Sequence, residues 1–411
     1  MQETTTPADA QNGQLLRQKD SSRRPQSADR RELHSSHAQF GCVALLLQGG
    51  GALGAYQGGV YQALTEARIE PTWLAGISIG AINAAIIAGN APEHRVEKLR
   101  SFWDGVTSAP FWTNNAWQNA FVQGEAARTA FNQVSSAFTA IRGVLGFFEP
   151  RTLSPWFSPP GTIEATSYYD TRPLKATLEK LIDFDRINAD GTRLSVGAVN
   201  VRSGNFVYFD SKERRITSDH IMASGALPPG FPAVEIDGEH YWDGAVVSNT
   251  PLQWMAEHGG GADTLAFQVD LWNARGTFPR TMAEVMTRQK EIQYSSRTRA
   301  GTNWLKKLRE RQRAVAELLS QLPEHLRNSP AARACDAFDG GDAYNIVHLI
   351  YRPREYEGNA RDYEFSRRSM EEHWRAGYND AVRTLRHPEI FEHPIGLEGV
   401  FTFDLAVDGR Q

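Results

Sequence analysis

An unbroken apolar run from Cys42 to Leu47, ending in the three glycines 49–51, sets the framework of this chain. Such a run is typical of a strand in a parallel sheet that helices cover on both faces. Helix-compatible sequence follows from about Gly54 to Arg68, and a short apolar piece, Trp73 to Ala75, comes next. The order strand, helix, strand predicts an α/β fold.

The rest of the chain supports this fold class. Ser203-Gly204-Asn205 and Asp237-Gly238 each stand between apolar segments and predict two hairpins. Further strands are expected at 264–271 and 344–351. Helices are expected at 81–88, 281–322 and 366–385, and Ser369 and Glu372 have the spacing of a capping box at the start of the last one.

Charge and cysteine content exclude some classes of protein. The 44 Lys and Arg against 48 Asp and Glu leave a net charge of −4, so no basic field is available to hold nucleic acid. Cys42 and Cys335 lie far apart and form no CxxC pair, which argues against a disulfide framework or a thiolate zinc site. We therefore expect a reducing compartment, no metal and no cofactor.

The termini and the apolar stretches bear on localisation. Residues 1–38 contain no aromatic residue and predict a solvated, disordered tail without a secretory signal. The most apolar stretch, Leu74 to Gly89, is interrupted by Ser78 and Asn83 and is shorter than the roughly 20 residues needed to cross a bilayer. The expectation is a cytoplasmic protein, with peripheral membrane contact as an option.

A change in composition marks an insertion over about 102–160. Residues 102–157 hold 12 aromatic and only 6 charged side chains. They form either additional core helices or an acyl-chain pocket or membrane-touching cap over one end of the sheet. The expected organisation is a tail over 1–38, a main domain over 39–275 and a C-terminal extension over 276–411.

The glycine-rich loop allows three interpretations. Gly49, Gly51 and Gly54 satisfy the formal dinucleotide-binding fingerprint between a strand and a helix. Exposed backbone N–H groups at a helix N-terminus can approach either a pyrophosphate or an oxyanion. A tight turn that only lets the helix pack on the strand is the third possibility.

A serine follows in the context of a nucleophile elbow. Gly76-Ile77-Ser78-Ile79-Gly80 lies between a short apolar strand and an Ala/Ile-rich helix. Glycines two residues before and after the serine allow a sharp turn that exposes the Ser78 hydroxyl beside a helix N-terminus. Ser78 is therefore the candidate nucleophile.

A serine needs a base to take its proton, and the sequence offers three. His348 and His373 fit the order of a Ser-His-Asp triad, but each stands in a segment where a structural histidine is expected. Asp243 follows a probable strand and precedes Gly244 and Ala245, so its carboxylate can point into a cleft.

Together these residues resemble the patatin-like phospholipase family. Gly49-Gly50-Gly51-Ala52-Leu53-Gly54 is similar to its oxyanion loop, Gly76 to Gly80 to its nucleophile elbow, and Asp243-Gly244-Ala245 to its D-G-[GA] element. The resemblance covers roughly residues 41–275. It implies a three-layer α/β/α core with a mostly parallel sheet, and a Ser78-Asp243 dyad without histidine that acts on acyl esters of lipids.

Two features stand outside the core of the resemblance. Leu53 occupies a position where the family usually has Arg or Lys, which argues against a strongly anionic headgroup. Residues 276–411, including Asp362-Tyr363-Glu364-Phe365-Ser366 and Glu372-His373-Trp374, resemble the mainly helical extension that follows this core in many bacterial proteins.

The functional hypothesis is a serine lipid acyl hydrolase. Asp243 would accept the Ser78 proton, and backbone amides of Gly49 to Gly51 would stabilise the oxyanion. The alternatives are a Ser-His-Asp esterase or thioesterase, a nucleotide-binding protein using the glycine loop, and a catalytically silent lipid-binding module. Acyl length, headgroup, positional preference and oligomeric state are left open.

Overall fold

A computed structural model describes residues 40–107, 124–189, 191–259, 262–295, 298–336, 342–393 and 399–405. The predicted tail over 1–38 and the part of the insertion at 108–123 lie outside the described residues.

In the part of the chain that the structure describes, nine strands form a central sheet. They are β1 (Cys42–Leu47), β2 (Trp73–Ile77), β5 (Arg193–Asn200), β6 (Phe206–Asp210), β7 (Val234–Ile236), β8 (Glu239–Asp243), β9 (Thr264–Asp270), β10 (Tyr344–Ile350) and β11 (Val400–Phe403); β3 (Glu149–Pro150) and β4 (Tyr169–Asp170) pair separately. The order in the sheet is β11-β10-β9-β1-β2-β5-β8-β7, with β6 paired to β5. All pairings from β11 to β5 are parallel, and β6, β7 and β8 pair antiparallel.

Alternate side chains of the central strand face two different cores. Val43, Leu45 and Leu47 pack in the larger apolar cluster, whereas Ala44 and Leu46 pack in the smaller one on the opposite face. Because both faces of β1 are buried, its sequence is continuously apolar rather than alternating. The predicted three-layer α/β/α fold with a mostly parallel sheet is confirmed.

Helices cover both faces of the sheet. The described helices are α1 (Ala55–Glu66), α2 (Ile79–Ala88), α3 (Arg95–Val106), α4 (Glu125–Arg142), α5 (Arg172–Leu181), α6 (Phe184–Asn188), α7 (Ser218–Ser224), α8 (Leu252–His258), α9 (Met282–Tyr294), α10 (Thr298–Gln321), α11 (Glu324–Arg327), α12 (Pro330–Asp336) and α13 (Arg367–Thr384). The larger cluster holds side chains from α1, α2, α3 and α13, and the smaller one from α8 and α10.

The C-terminal region is helical, as expected, and it also extends the central sheet. β10 pairs with β9, and β11 pairs with β10, so residues beyond 275 complete one edge of the sheet. α13 packs closely on α1: a Cβ atom at Gly59 would lie 1.9 Å from the Trp374 carbonyl oxygen. The region is thus packed onto the core at two places.

Local predictions agree with the structure in most segments, with two differences. The helix expected over 281–322 is divided into α9 and α10, because Ser295 after α9 has an extended backbone with φ −62° and ψ 140°. The other difference is at a helix start. The two predicted hairpins form, and their second turn has positive φ at Asp237 (53°) and Gly238 (78°). The last helix begins one turn earlier than the capping box predicts. Ser366 is its N-cap and accepts a hydrogen bond from the Ser369 N–H, so Ser369 lies inside the helix.

Candidate active site

Ser78 occupies a sharp turn between β2 and α2. Its φ of 57° and ψ of −126° are unusual for a residue other than glycine, and strain of this kind concentrates at functional sites. The flanking glycines make the turn possible by close approach. A Cβ at Gly76 would lie 2.3 Å from the Gly80 oxygen, and one at Gly80 would lie 2.2 Å from the Leu47 oxygen.

A residue that the sequence analysis did not single out holds this turn. The Ser78 N–H donates to Ser224 Oγ at 3.0 Å, and Ser224 Oγ donates to the Gly197 carbonyl oxygen at 2.6 Å. Ser224 is fully buried at the end of α7. It lies 146 residues from Ser78 in the chain, and no local pattern marks it.

Asp243 lies two strands away from Ser78, at the end of β8. Strand β5 connects the two sites: Ile77 pairs with Gly197, and Ala198 pairs with Asp243. Gly244 lies against the same strand, because a Cβ there would be 2.8 Å from the Gly197 oxygen and 3.0 Å from Ile77 Cγ2.

The Asp243 carboxyl group is fully buried. Oδ1 accepts a hydrogen bond from the Ala245 N–H at 2.8 Å. Oδ2 has no partner of regular hydrogen-bond geometry among the described residues. Burial raises the pKa of Asp243 to about 7, against lowering contributions from the Ser78 hydroxyl and the Ala245 amide. The hydroxyl is therefore close to the carboxyl group, without ideal alignment, as is common in unliganded active sites.

The glycine loop follows β1 and lies against Ser78. A Cβ at Gly49 would be 3.0 Å from Ser78 Cβ. The Gly49 N–H donates to Asn249 Oδ1 at 3.0 Å, whereas the amides of Gly50 and Gly51 have no acceptor among the described residues. Of the three predicted oxyanion donors, two therefore remain available to a ligand.

Gly54, the last glycine of the fingerprint, has a packing role. A Cβ at this position would lie 2.5 Å from Ile79 Cγ1 and 2.9 Å from Trp103 Cζ2. Gly54 is buried and does not line the cavity described below.

Side chains distant in sequence hold the glycine loop. Asn249 Oδ1 accepts from the Gly49 N–H, and Asn249 Nδ2 donates to the Gly49 carbonyl oxygen at 3.1 Å. Trp272 Nε1 donates to the same oxygen at 3.0 Å. Gln48 Oε1 accepts from the amides of Leu271 and Trp272 at 2.6 and 2.9 Å. The sequence analysis singled out none of these contacts.

A cavity of about 430 Å³ opens onto Ser78 and Asp243, within the range of small-molecule sites. Part of its wall is aromatic, and neighbouring ring centroids in this part lie 4.9 to 6.5 Å apart. Tyr294 also lines the cavity, and burial and the charges of Asp362 and Asp243 raise its pKa. The aromatic wall consists of Phe147, Phe148, Tyr169, Phe231 and Phe365.

The two candidate histidines lie elsewhere. Neither His348 nor His373 lines the cavity among the described residues. His348 is buried on β10, and burial lowers its pKa. His373 Nε2 lies 3.3 Å from Glu357 Oε2 in the packing between α13 and its neighbours. The described residues also contain no cluster of three His, Cys, Asp or Glu side chains that could hold a metal ion.

Comparison with models of known families shows which family the chain belongs to. The model described as "Patatin-like phospholipase" matches residues 45–254, about half of the chain, and one described as "Patatin phospholipase" matches residues 292–395. The chain therefore belongs to the patatin-like phospholipase family, a family of lipid acyl hydrolases. The resemblance drawn from its three motifs is confirmed, and the C-terminal region also matches a patatin-associated model.

Similarity to individual proteins is more limited. Triacylglycerol lipase SDP1L of Arabidopsis thaliana is 30% identical over 114 residues, which are 28% of this chain and 11% of that protein. The chain thus spans only about a tenth of this relative. The crystal structure of VipD from Legionella pneumophila matches 88% of this chain and 71% of its own, with 14% identity and a TM-score of 0.37.

Proposed function

We propose that this protein is a serine lipid acyl hydrolase that uses Ser78 as nucleophile and Asp243 as base. The observation that carries the proposal is the buried Asp243 carboxyl group beside the Ser78 hydroxyl, at the base of an apolar cavity. A carboxylate with an ordinary pKa is a weak base, and the raised pKa of about 7 brings Asp243 near the operating pH.

The reaction proceeds in two halves. Ser78 Oγ attacks the ester carbonyl carbon while its proton passes to Asp243, and the tetrahedral intermediate then expels the alcohol, which takes up that proton. Water next attacks the acyl-serine and gives its proton to Asp243. When the second intermediate collapses, the fatty acid leaves and the proton returns to Ser78 Oγ.

Charge develops on the carbonyl oxygen in both halves. The Gly50 and Gly51 amides, which have no acceptor among the described residues, are the proposed donors to this oxyanion. Removing one such donor in a serine protease costs about 2.7 to 4 kcal/mol of transition-state stabilisation. The loop is therefore as important to the proposed chemistry as the base.

The aromatic wall suits an acyl chain. Phe147, Phe148 and Phe231 offer apolar surface continuous with the Ser78 side of the cavity. An apolar ester would bury its chain there, and its scissile carbonyl would face the glycine loop. The described residues that line the cavity include no Lys or Arg, and Leu53 is buried outside this lining. A neutral or weakly anionic substrate fits this site best.

Access from a lipid surface forms part of the proposal. Four large apolar side chains, Ile141, Leu145, Trp156 and Phe157, are 72 to 82% exposed. Ile141 follows the cavity-lining Ala140 in the chain, and Trp156 Nε1 donates to the hydroxyl of Tyr168, next to the cavity-lining Tyr169. Exposed apolar groups of this size are typical of contact with membranes or partners. No described helix is both long and apolar enough to span a bilayer. Peripheral contact through these side chains would bring the cavity close to a lipid substrate.

Three alternative hypotheses are compared with the dyad. A Ser-His-Asp triad would need His348 or His373 to reach the cavity, which neither lines. A nucleotide-binding loop does not account for Ser78 and Asp243. A silent lipid-binding module would keep the cavity and lack turnover, which the following experiment detects.

The experiment combines active-site labelling with an ester screen. A fluorophosphonate should label Ser78, and the wild type should hydrolyse acyl esters that Ser78→Ala and Asp243→Asn leave intact. Single His348 and His373 variants serve as controls and should retain turnover. Hydrolysis that survives Asp243→Asn would refute the dyad. A wild type that the fluorophosphonate does not label and that hydrolyses no ester would refute the proposed enzymatic activity.

Surface contact needs its own comparison. The double variant Trp156→Ser, Phe157→Ser should bind phospholipid vesicles less and lose activity on vesicles while keeping activity on a soluble short-chain ester. Leu318→Ser, on α10 and 64% exposed, is the matched control. Equal vesicle binding by the double variant and the control would contradict the proposed surface.

A further inference from the structure

The C-terminal region reaches the glycine loop through the segment 359–363. This segment contains Asp362 and Tyr363, the start of the motif that the sequence analysis left without a function. Both residues line the cavity with Gly49 to Gly51. The segment therefore shares a site with residues more than 300 positions earlier in the chain.

The contact with the loop is a backbone contact. The Asp362 carbonyl oxygen accepts a hydrogen bond from the Ala52 N–H at 2.8 Å. A Cβ atom at Gly51, whose φ is 55°, would lie 2.1 Å from the same oxygen. The position of this one carbonyl group thus limits where the loop can lie, immediately beside the two amides proposed to bind the oxyanion.

An ion pair fixes the Asp362 side chain. Lys290 Nζ, on α9, lies 2.8 and 2.9 Å from the two Asp362 carboxylate oxygens. It also donates to the Asn359 carbonyl oxygen at 3.2 Å and lies 5.1 Å from the centre of the Tyr363 ring. Lys290 therefore ties both ends of the segment to α9, and its side chain is only 27% exposed.

A second contact reaches the other side of the loop. Arg361 pairs with Glu291 at 2.9 Å and stacks 5.0 Å from the centre of a Trp272 ring. The Trp272 indole N–H in turn holds the Gly49 carbonyl oxygen. Segment 359–363, which is held by α9, therefore contacts the glycine loop directly at Ala52 and through Trp272 at Gly49.

We propose that Lys290 and Asp362 are positioning residues whose ion pair holds the glycine loop in the geometry that its amides need to bind the oxyanion. This inference rests on the proposed function of the loop. It assigns a role in the reaction to the C-terminal region: the region controls transition-state stabilisation through the loop, without contact with the reacting atoms.

The test separates transition-state binding from substrate binding. Because the loop acts on charge that exists only in the transition state, Lys290→Met and Asp362→Asn should each lower kcat about tenfold or more and leave KM unchanged. The rate of Ser78 labelling by a fluorophosphonate should fall by the same factor. Because each single substitution breaks the same ion pair, the double variant should have about the same kcat as either single variant.

A matched control distinguishes this role from general stabilisation. Lys175→Met breaks a different lysine pair, in which Nζ lies 2.8 Å from Asp219 Oδ1, and it should leave kcat unchanged. Lys290 and Asp362 variants that keep wild-type kcat, or whose effects are additive in the double variant, would overturn the inference. If Lys290→Met does not fold, Asp362→Asn decides, since it keeps the size of the side chain.

Failure of the positioning role and failure of the proposed hydrolase function give different results. A wild type that lacks ester hydrolysis and fluorophosphonate labelling would refute the proposed hydrolase function. An active wild type with unaffected Lys290→Met and Asp362→Asn variants would refute only the positioning role.

Discussion

Asp243 combines a chemical advantage with a cost in stability. Its carboxyl group is fully buried, it has no cation among its hydrogen-bond partners in the described residues, and burial raises its pKa to about 7. The same desolvation that makes the carboxylate a better base makes its charged form expensive in the folded state. A site prepared for catalysis in this way is expected to lower the stability of the protein.

This cost predicts an unusual pH dependence. The folded-state pKa of Asp243, about 7, lies above the unfolded value of 3.8, so the folded protein binds more protons between these values. The contribution of Asp243 to the unfolding free energy therefore falls as pH rises from about 4 to about 7. Asp243→Asn should raise the unfolding free energy relative to wild type, by more at about pH 8 than at about pH 5. Denaturant melts at both pH values measure this difference.

A buried aspartate with an ion-pair partner provides the control. Asp210 is fully buried, and Arg193 Nη2 lies 2.9 Å from its Oδ2. Asp210→Asn should destabilise the protein at about pH 8, by roughly 3 to 5 kcal/mol, because it leaves the Arg193 charge unpaired. If Asp243→Asn destabilises the protein to a similar extent, the assigned electrostatics of Asp243 are wrong.

Ser224 carries the second prediction at the scale of single residues. Ser224→Ala removes the acceptor of the Ser78 N–H, in a partly buried hydrogen bond, and the donor to the Gly197 carbonyl group, in a buried one. Each unpaired buried group costs about 1 to 3 kcal/mol, so we expect a lower melting temperature together with a lower kcat. Ser218→Ala, on the same helix but bonded to Glu179, should leave kcat unchanged. Equal kcat in both variants would contradict a role of Ser224 in holding the elbow.

At the scale of elements, the loop after β1 depends on glycine for two separable reasons. Gly51 has a positive φ of 55°, and its missing Cβ leaves room for the Asp362 carbonyl oxygen. The sequence analysis explained these glycines by amides that approach an anion or by a tight turn between the strand and the helix. It did not predict the contact with the Asp362 carbonyl group, because that residue belongs to the C-terminal region and no pattern near the loop indicates it.

A pair of glycine variants separates conformation from contact. Gly204, in the β5-β6 hairpin, also has a positive φ, 69°, but a Cβ there would meet no atom within 4 Å. Gly204→Ala should cost about 1 to 2 kcal/mol of stability and leave ester hydrolysis intact. Gly51→Ala should cost more and abolish hydrolysis, because the loop must shift away from Asp362. Thermal melts and initial rates of both variants test this, and an active Gly51→Ala would contradict it.

At the scale of the whole molecule, residues on both sides of the boundary expected near residue 275 contribute to one central sheet. β10 and β11 extend the sheet beyond β9, and a Cβ at Gly377 on α13 would lie 2.0 Å from the Tyr56 carbonyl oxygen on α1. The sequence analysis assigned these residues to an extension because they resemble the region that follows this core in many bacterial proteins, although it expected a strand over 344–351. Sheet membership depends on strand pairing between distant segments, which the patterns do not show.

Truncation tests this integration. A chain that ends at residue 275 exposes the edge of β9 and the apolar surface that α13 covers, so we expect an aggregated or unfolded product. Circular dichroism and gel filtration of the soluble fraction provide the measurement. A soluble fragment with a cooperative thermal transition would show that the core folds without the C-terminal region.

The local sequence was sufficient to predict β1, the glycine loop, the elbow at Ser78 and the two hairpins, because apolar periodicity and glycine spacing act over a few neighbouring residues. It also predicted the fold class and the family. Only the tertiary structure decided which side chains hold the loop and the elbow. Asn249, Ser224 and Trp272 reach them across 146 to 223 residues of chain, and such contacts arise from strand order and packing rather than from any local pattern.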